Sequence, residues 1–154
     1  MSLFYIKGNQ PMLIDPWHAF TADFGTMPKP WTGFATLIDI AIYLFFCARV
    51  SMARHKYKVP APQTDGPEAF QRVLRVQANT VEQMVYHLPL LWMAAFAMDD
   101  AFAAAMGIVW ALSRIIYARG YYQKAKRRAK GFLIGLAVNV VLFIAVLAGV
   151  VASF

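Results

Sequence analysis

Charged residues are scarce in this 154-residue chain, where they make up only 15% of the sequence. A soluble globular domain of average composition carries about 25% charged and about 45–50% apolar residues. Here 60% of the residues are hydrophobic, and a soluble fold would have too little polar surface to cover them. The composition therefore excludes an ordinary soluble domain and indicates that much of the protein surface faces lipid or a partner.

Other features are also absent. The single cysteine, Cys47, excludes an internal disulfide. The three histidines, His18, His55 and His87, lack the spacing of metal ligands, so no metal site is predicted. There is no glycine-rich phosphate loop and no cleavable signal pattern. The cations lie beside apolar runs rather than in a free patch, which argues against nucleic-acid binding.

Four apolar segments approach the roughly 20 residues that a helix needs to cross a bilayer. They are residues 33–52, 80–98, 101–117 and 132–154. Lipid offers no partner to backbone N–H and C=O groups, so each segment is predicted to be a helix. The predicted fold is an all-α membrane protein, a four-transmembrane-helix bundle. Residues 1–30 are predicted to form a separate N-terminal segment at the outer interface, and residues 31–154 the four-helix domain.

The basic residues are distributed unevenly along the chain. All lysines and arginines except Lys7 and Lys29 lie in or beside the first and third connections, at residues 54–70 and 121–131. The positive-inside rule then predicts that both connections are cytoplasmic and that both termini lie on the opposite side. The short chain without targeting signals favours a bacterial inner membrane, although an endoplasmic-reticulum protein would have the same topology.

Polar residues recur at spacings of three and four in two of the predicted helices, so each set shares a helix face. In the second helix they are Arg72, Arg75, Asn79, Glu82, Gln83 and Tyr86, and in the third Arg114, Tyr117, Tyr121, Lys124 and Arg128. If the faces meet, they form a cleft with more cations than acids, which favours an anionic ligand. The alternative is ion pairing that only joins helices or subunits. Asp39, inside the first span, is expected in a helix–helix contact within or between subunits.

Two stretches of the sequence resemble the MAPEG family, the membrane-associated proteins in eicosanoid and glutathione metabolism. Residues 70–94, FQRVLRVQANTVEQMVYHLPLLWMA, are similar to the family pattern F-x-R-x-x-R-x-Q-x-N-x-x-E before an apolar run. Residues 114–123, RIIYARGYYQ, resemble the family's R-x-x-Y-x-x-G-Y. The resemblance extends from about residue 33 to the C-terminus. It implies a homotrimer of four-helix subunits that binds glutathione between neighbours near the cytoplasmic end.

The same resemblance implies roles for individual residues. The residues implied to bind glutathione are Arg54, Arg75, Gln77, Asn79, Glu82, Tyr117 and Tyr121. Arg75 would meet the γ-glutamyl carboxylate and Glu82 the amine. Arg128 would be the catalytic residue beside the sulfur, with Arg127 as the alternative.

The function implied by the resemblance is that of a microsomal-type glutathione S-transferase. Such an enzyme conjugates the glutathione thiolate to hydrophobic electrophiles from the membrane, and the same thiolate could reduce lipid hydroperoxides. One alternative is a non-catalytic scaffold that binds lipid or fatty acid, and another is a purely structural bundle. Eicosanoid-forming members carry a second Arg where this chain has His55 and a Tyr where it has Gln83, which argues against a leukotriene-type reaction.

Overall fold

A computed structural model describes residues 27–154, which form four long helices with short connections. The helices are α1 (Pro30–Tyr57), α2 (Glu68–Ala97), α3 (Asp100–Gln123) and α4 (Ala129–Val151), and a 3-10 turn (Ala125–Arg128) leads into α4. The four predicted helices are confirmed, and the first three extend beyond their apolar segments into the basic ends. Residues 1–26 lie outside the described part of the chain, so the predicted N-terminal segment stays a prediction.

The helices differ in whether their length and hydropathy are sufficient for a membrane span. Within residues 27–154, α1, α3 and α4 are long and apolar enough to span a bilayer. The 30 residues of α2 correspond to about 45 Å, but the polar residues in its first half lower its hydropathy below that of a membrane span. The chain is an integral all-α membrane protein with three such helices in this region, and the predicted fourth crossing stays a prediction.

The bundle is organised around α2 and α3. Both α1 and α4 pack against this pair but make little contact with each other. The main core contains Leu91 of α2, Trp110 of α3 and Leu142 of α4, all completely buried. At Gly131, α4 approaches α3 so closely that a Cβ would lie 2.3 Å from the backbone nitrogen of Tyr117. Only glycine therefore fits at this crossing.

The tight turn between α2 and α3 is held by two adjacent acids with different partners. Asp99 caps α3 by accepting hydrogen bonds from two backbone N–H groups of its first turn, at 2.8 and 3.0 Å. Asp100 instead accepts from the backbone N–H groups of Trp31 and Thr32, at 3.1 and 2.9 Å. These groups belong to the first turn of α1, where the helix dipole favours a carboxylate. The turn thus fixes the starts of α1 and α3 together.

Polar side chains from three helices meet inside the apolar interior. Nε2 of His87 on α2 lies 3.4 Å from Oδ2 of Asp39 on α1, and its Nδ1 lies 2.7 Å from Oδ1 of Asn139 on α4. The imidazole also stacks on Trp110 of α3, with ring centroids 4.1 Å apart. We call these four residues, all buried, the closed cluster. The contact expected for Asp39 is therefore a helix–helix contact within one subunit.

Candidate functional site

A second polar group reaches the protein surface and is called the open cluster. It consists of Arg75, Asn79 and Glu82 on α2 and Arg114 on α3. Glu82 Oε1 accepts from Arg75 Nη1 at 3.3 Å, and Glu82 Oε2 accepts from the Asn79 amide at 3.3 Å. The side chains of Arg75 and Glu82 are 56% and 52% exposed. Because Asn79 Oδ1 also accepts from Arg114 Nη1 at 3.2 Å, the predicted polar faces of the two helices do meet.

Arg114 forms the buried floor of the open cluster. Its side chain is fully buried, and Nη2 donates to the backbone carbonyl of Gly131 at 3.4 Å. Its guanidinium lies 4.7 Å from the centre of the Tyr117 ring and 5.5 Å from that of Trp110. No carboxylate in residues 27–154 pairs with it. Hydrogen bonds and aromatic faces therefore hold this cation, which leaves the site with a surplus of positive charge.

The two predicted tyrosines of α3 continue the site toward the 3-10 turn. Tyr117 and Tyr121 are buried, with ring centroids 5.6 Å apart. Arg128 donates from Nη1 to Tyr121 Oη at 3.1 Å, and its guanidinium lies 5.2 Å from the centre of that ring. Arg127 instead hydrogen-bonds the side chain of Gln123. Of the two candidate arginines, Arg128 is thus the one that contacts the tyrosines.

Two predicted glutathione ligands do not join the open cluster within one chain. Nη1 of Arg54 donates to the backbone carbonyls of Pro60 and Gln63, at 3.2 and 2.7 Å, and so holds the connection between α1 and α2. Gln77 donates to the Tyr43 hydroxyl on α1 at 2.8 Å. Both residues lie on the α1 side of the subunit, and their predicted contact with glutathione stays a prediction.

The predicted stripe on α2 divides into residues with different surroundings. Gln83 is only 3% exposed, and its Oε1 would lie 3.5 Å from a Cβ at Gly135, so it faces α4. Arg72 forms an ion pair with Glu68, one turn earlier on α2. Arg114 was part of the predicted third-helix face but not of the predicted ligand set. The R-x-x-Y motif of the third helix includes Arg114. In the structure Arg114 lies beneath Asn79 and holds its side chain by a hydrogen bond.

Comparison with known proteins identifies the family. The sequence model of the MAPEG family matches residues 32–148, which include most of all four helices. The chain belongs to the MAPEG family. The resemblance seen in the two motifs is therefore confirmed over the whole bundle.

Several relatives of this MAPEG member match most of its length. An uncharacterized protein of Synechocystis is 44% identical over 117 residues, which are 76% of this chain and 85% of that protein. Microsomal glutathione S-transferase 2 of Bos taurus is 37% identical over 110 residues, 71% of this chain and 75% of the relative. Leukotriene C4 synthase of Bos taurus is 33% identical over 93 residues, 60% and 62% of the two chains.

Proposed function

We propose that this MAPEG member is a membrane-bound glutathione transferase that joins the glutathione thiolate to hydrophobic electrophiles. The open cluster is the observation that carries the proposal. It offers one exposed carboxylate, one exposed guanidinium and a buried guanidinium without a carboxylate partner. Glutathione, with two carboxylates and one ammonium, is complementary to that arrangement. The microsomal glutathione S-transferases among the relatives support the same substrate.

The γ-glutamyl end of glutathione is assigned to α2. The planar fork of Arg75 suits its carboxylate, and Glu82 suits its ammonium. These two side chains already stand 3.3 Å apart, so a zwitterion can exchange one internal ion pair for two with the ligand. Asn79, which is held by Arg114, keeps the Glu82 carboxylate in place.

Arg128 is proposed to act on the sulfur. A free cysteine thiol has a pKa of ~8.5, and a neighbouring guanidinium lowers it by favouring the thiolate. The thiol proton leaves to water, and the sulfur attacks an electrophilic carbon of the second substrate. The C–S bond forms as the leaving group departs with its electron pair. With a lipid hydroperoxide, the thiolate would attack the terminal peroxide oxygen, which forms glutathione sulfenic acid and releases the lipid alcohol. The thiol of a second glutathione would then displace water from the sulfenic sulfur and form the disulfide.

A homotrimer is proposed because one subunit leaves its charges uncovered. Arg75 and Glu82 are half exposed on a helix of a membrane protein, where charges facing lipid are costly. Arg54 and Gln77 lie on the α1 side, away from the open cluster. A heterologous ring of three subunits would cover each open cluster with the α1 side of its neighbour.

The short turn between α2 and α3 makes these two helices a helical hairpin, which supports α2 as the fourth helix that crosses the membrane.

The proposed orientation follows the basic residues at one end of the bundle. The α1–α2 and α3–α4 connections and the adjoining halves of the helices carry all described lysines and arginines except Lys29. In a bacterial inner membrane this end, with Arg128, would be cytoplasmic and both termini would lie outside. A cysteine at Lys124 should resist a membrane-impermeant thiol reagent in intact cells, whereas one at Ser153 should react. The reverse pattern contradicts the orientation.

Glutathione binding to the detergent-purified trimer tests the pocket by calorimetry. The native protein should bind saturably, and Arg75→Ala and Glu82→Ala should each weaken binding roughly 30-fold, as expected for loss of one ionic hydrogen-bonding partner. Arg72→Ala is the matched control because Arg72 pairs with Glu68 outside the open cluster. Absence of binding to the folded native trimer would contradict the proposal and favour the non-catalytic lipid-binding scaffold.

The role of Arg128 is tested by separating binding from turnover. Arg128→Ala should leave the glutathione Kd within about threefold while lowering conjugation turnover about 10²-fold, the usual effect of losing one group that stabilises developing charge. In this variant the thiol of bound glutathione should ionise only at a higher pH, which the ultraviolet absorbance of the thiolate measures. Arg127→Ala is the control and should behave like the native protein, whereas loss of turnover in Arg127→Ala alone would transfer the role to Arg127.

A further inference from the structure

An apolar groove lies between α1 and α3, with a volume of about 580 Å³. Its α1 wall includes Ile38, Ile42 and Phe45, which recur at spacings of four and three and so lie on one face. From Ile38 to Arg49, at the end of the groove, α1 rises about 16 Å, roughly half the ~30 Å hydrocarbon thickness of a bilayer. The groove therefore has the length of one membrane leaflet.

Two arginines lie at one end of this groove. Arg49 comes from α1 and Arg119 from α3, and both are exposed. Arg49 places its guanidinium 5.4 Å from the centre of the Tyr122 ring, which also lines the groove. Among residues 27–154, neither arginine forms an ion pair with a carboxylate. The groove therefore joins a long apolar wall to two cations that have no anionic partner in the described chain.

The two arginines of α2, unlike those at the groove end, each pair with a carboxylate. Arg72 pairs with Glu68 and Arg75 pairs with Glu82. The acids of the described chain lie elsewhere: Asp39 in the closed cluster, Asp99 and Asp100 at the opposite ends of the helices, and Asp65 in the α1–α2 connection. The groove end therefore keeps two cations that an anion from outside the described chain can bind.

We propose that this groove is a binding site for an acidic phospholipid. The phosphate would lie between Arg49 and Arg119, whose guanidinium groups match phosphate oxygens. One acyl chain would lie along Phe45, Ile42 and Ile38 toward the bilayer centre. Basic pockets between transmembrane helices are a known way of binding anionic headgroups. The groove lining includes neither Tyr117 nor Tyr121 nor any residue of the open cluster, so the proposal does not depend on the function proposed for that cluster.

The charge of the groove is tested with palmitoyl-oleoyl phosphatidylglycerol added to the protein in a non-ionic detergent. Native mass spectrometry should show one retained lipid per subunit, and the thermal unfolding midpoint should rise more than with the phosphatidylcholine of the same chains. The variant Arg49→Gln/Arg119→Gln should bind phosphatidylglycerol roughly 30-fold more weakly. The control Lys56→Gln/Lys58→Gln removes the same charge from the C-terminal end of α1, outside the groove lining, and should bind like the native protein.

The shape of the groove is tested by keeping both arginines and filling the space. Ala41 lines the groove and is exposed, so Ala41→Phe should fold normally while its ring displaces the acyl chain and weakens phosphatidylglycerol binding. Equal binding by the native protein and the double arginine variant would overturn the proposal, since it would show annular lipid attracted by net charge. Unchanged binding in Ala41→Phe would overturn it as well, and so would equal stabilisation by oleate, which would show a fatty-acid site.

Discussion

The closed and open clusters both place polar residues inside a membrane bundle, but their surroundings differ. In the closed cluster, Asp39 and His87 are completely buried and face each other across 3.4 Å. In the open cluster, Arg75 and Glu82 are 3.3 Å apart and half exposed. In the first arrangement the polar groups face each other and are closed off from any ligand. The second keeps its charges accessible and has an excess of cations, as a site for an anionic ligand requires.

Trp110 connects the two clusters physically. One ring contact is with His87 of the closed cluster, and another is with the guanidinium of Arg114 at the floor of the open cluster. Changes in the closed cluster are therefore expected to affect stability first, while changes in the open cluster affect ligand binding. Substitutions that lie between the clusters should affect both properties.

The largest effect is expected from His87→Leu, which leaves Asp39 buried without a partner. Breaking a buried pair by removing one member costs about 3 kcal/mol or more of unfolding free energy. Thermal and denaturant unfolding in detergent measure this loss, and glutathione affinity of the folded fraction should stay the same. The control is Asp39→Leu/His87→Leu, which should recover part of the stability because the Asp39 carboxyl is removed together with its partner, while Asn139 still lacks its hydrogen bond to His87. Equal stability of His87→Leu and the native protein would contradict a structural role of the closed cluster.

Gly135→Ala should produce the next largest effect because it lies between the clusters. A Cβ there would stand 2.8 Å from Ser113 Oγ and 3.2 Å from Arg114 Nη2. Overpacking of this kind costs about 2 kcal/mol, and displacement of Arg114 should also weaken glutathione binding. Unfolding and calorimetry on the same samples check the two effects. Ala137→Val, on the exposed side of the same helix, is the control and should change neither.

Arg75→Lys tests whether the open cluster needs the planar guanidinium of an arginine or only a positive charge. A lysine keeps the positive charge but cannot form two parallel hydrogen bonds to a carboxylate. Glutathione binding is expected to weaken about tenfold, which corresponds to about 1.4 kcal/mol, with the unfolding midpoint unchanged. Calorimetry measures the affinity, and the matched control is Arg72→Lys. Native affinity in Arg75→Lys would show that charge alone is sufficient at this position.

The smallest effect is expected from Tyr43→Phe, which lies outside both clusters. It removes the acceptor of the 2.8 Å hydrogen bond from Gln77, and the loss of one such bond costs about 1 kcal/mol. Stability should fall by about that amount. If Gln77 contacts glutathione in a trimer, the glutathione affinity should also change, because Tyr43→Phe releases the Gln77 side chain. A change larger than that of His87→Leu would reverse the ranking of the two regions.

The sequence predicted some parts of the site better than others. The spacing of Arg75, Asn79 and Glu82 placed them on one face because helical periodicity is a local property. The same spacing could not show that Gln83 turns toward α4. It also could not show that Arg54 binds the α1–α2 connection. Those contacts depend on how the helices rotate and how the connection folds, and neither follows from the residues of one helix.

Composition and periodicity by themselves determined the membrane class, the helices and the two polar faces, and the resemblance of two motifs indicated the family. The tertiary structure alone decided which polar residues are buried and which are exposed. His87 and Asn139, 52 residues apart, meet because α4 packs on α2 and α3 at close crossings such as Gly131. The physical reason is that hydrophobicity and hydrogen bonding along one helix are encoded locally, whereas the rotation and depth of each helix are set by its packing against the others.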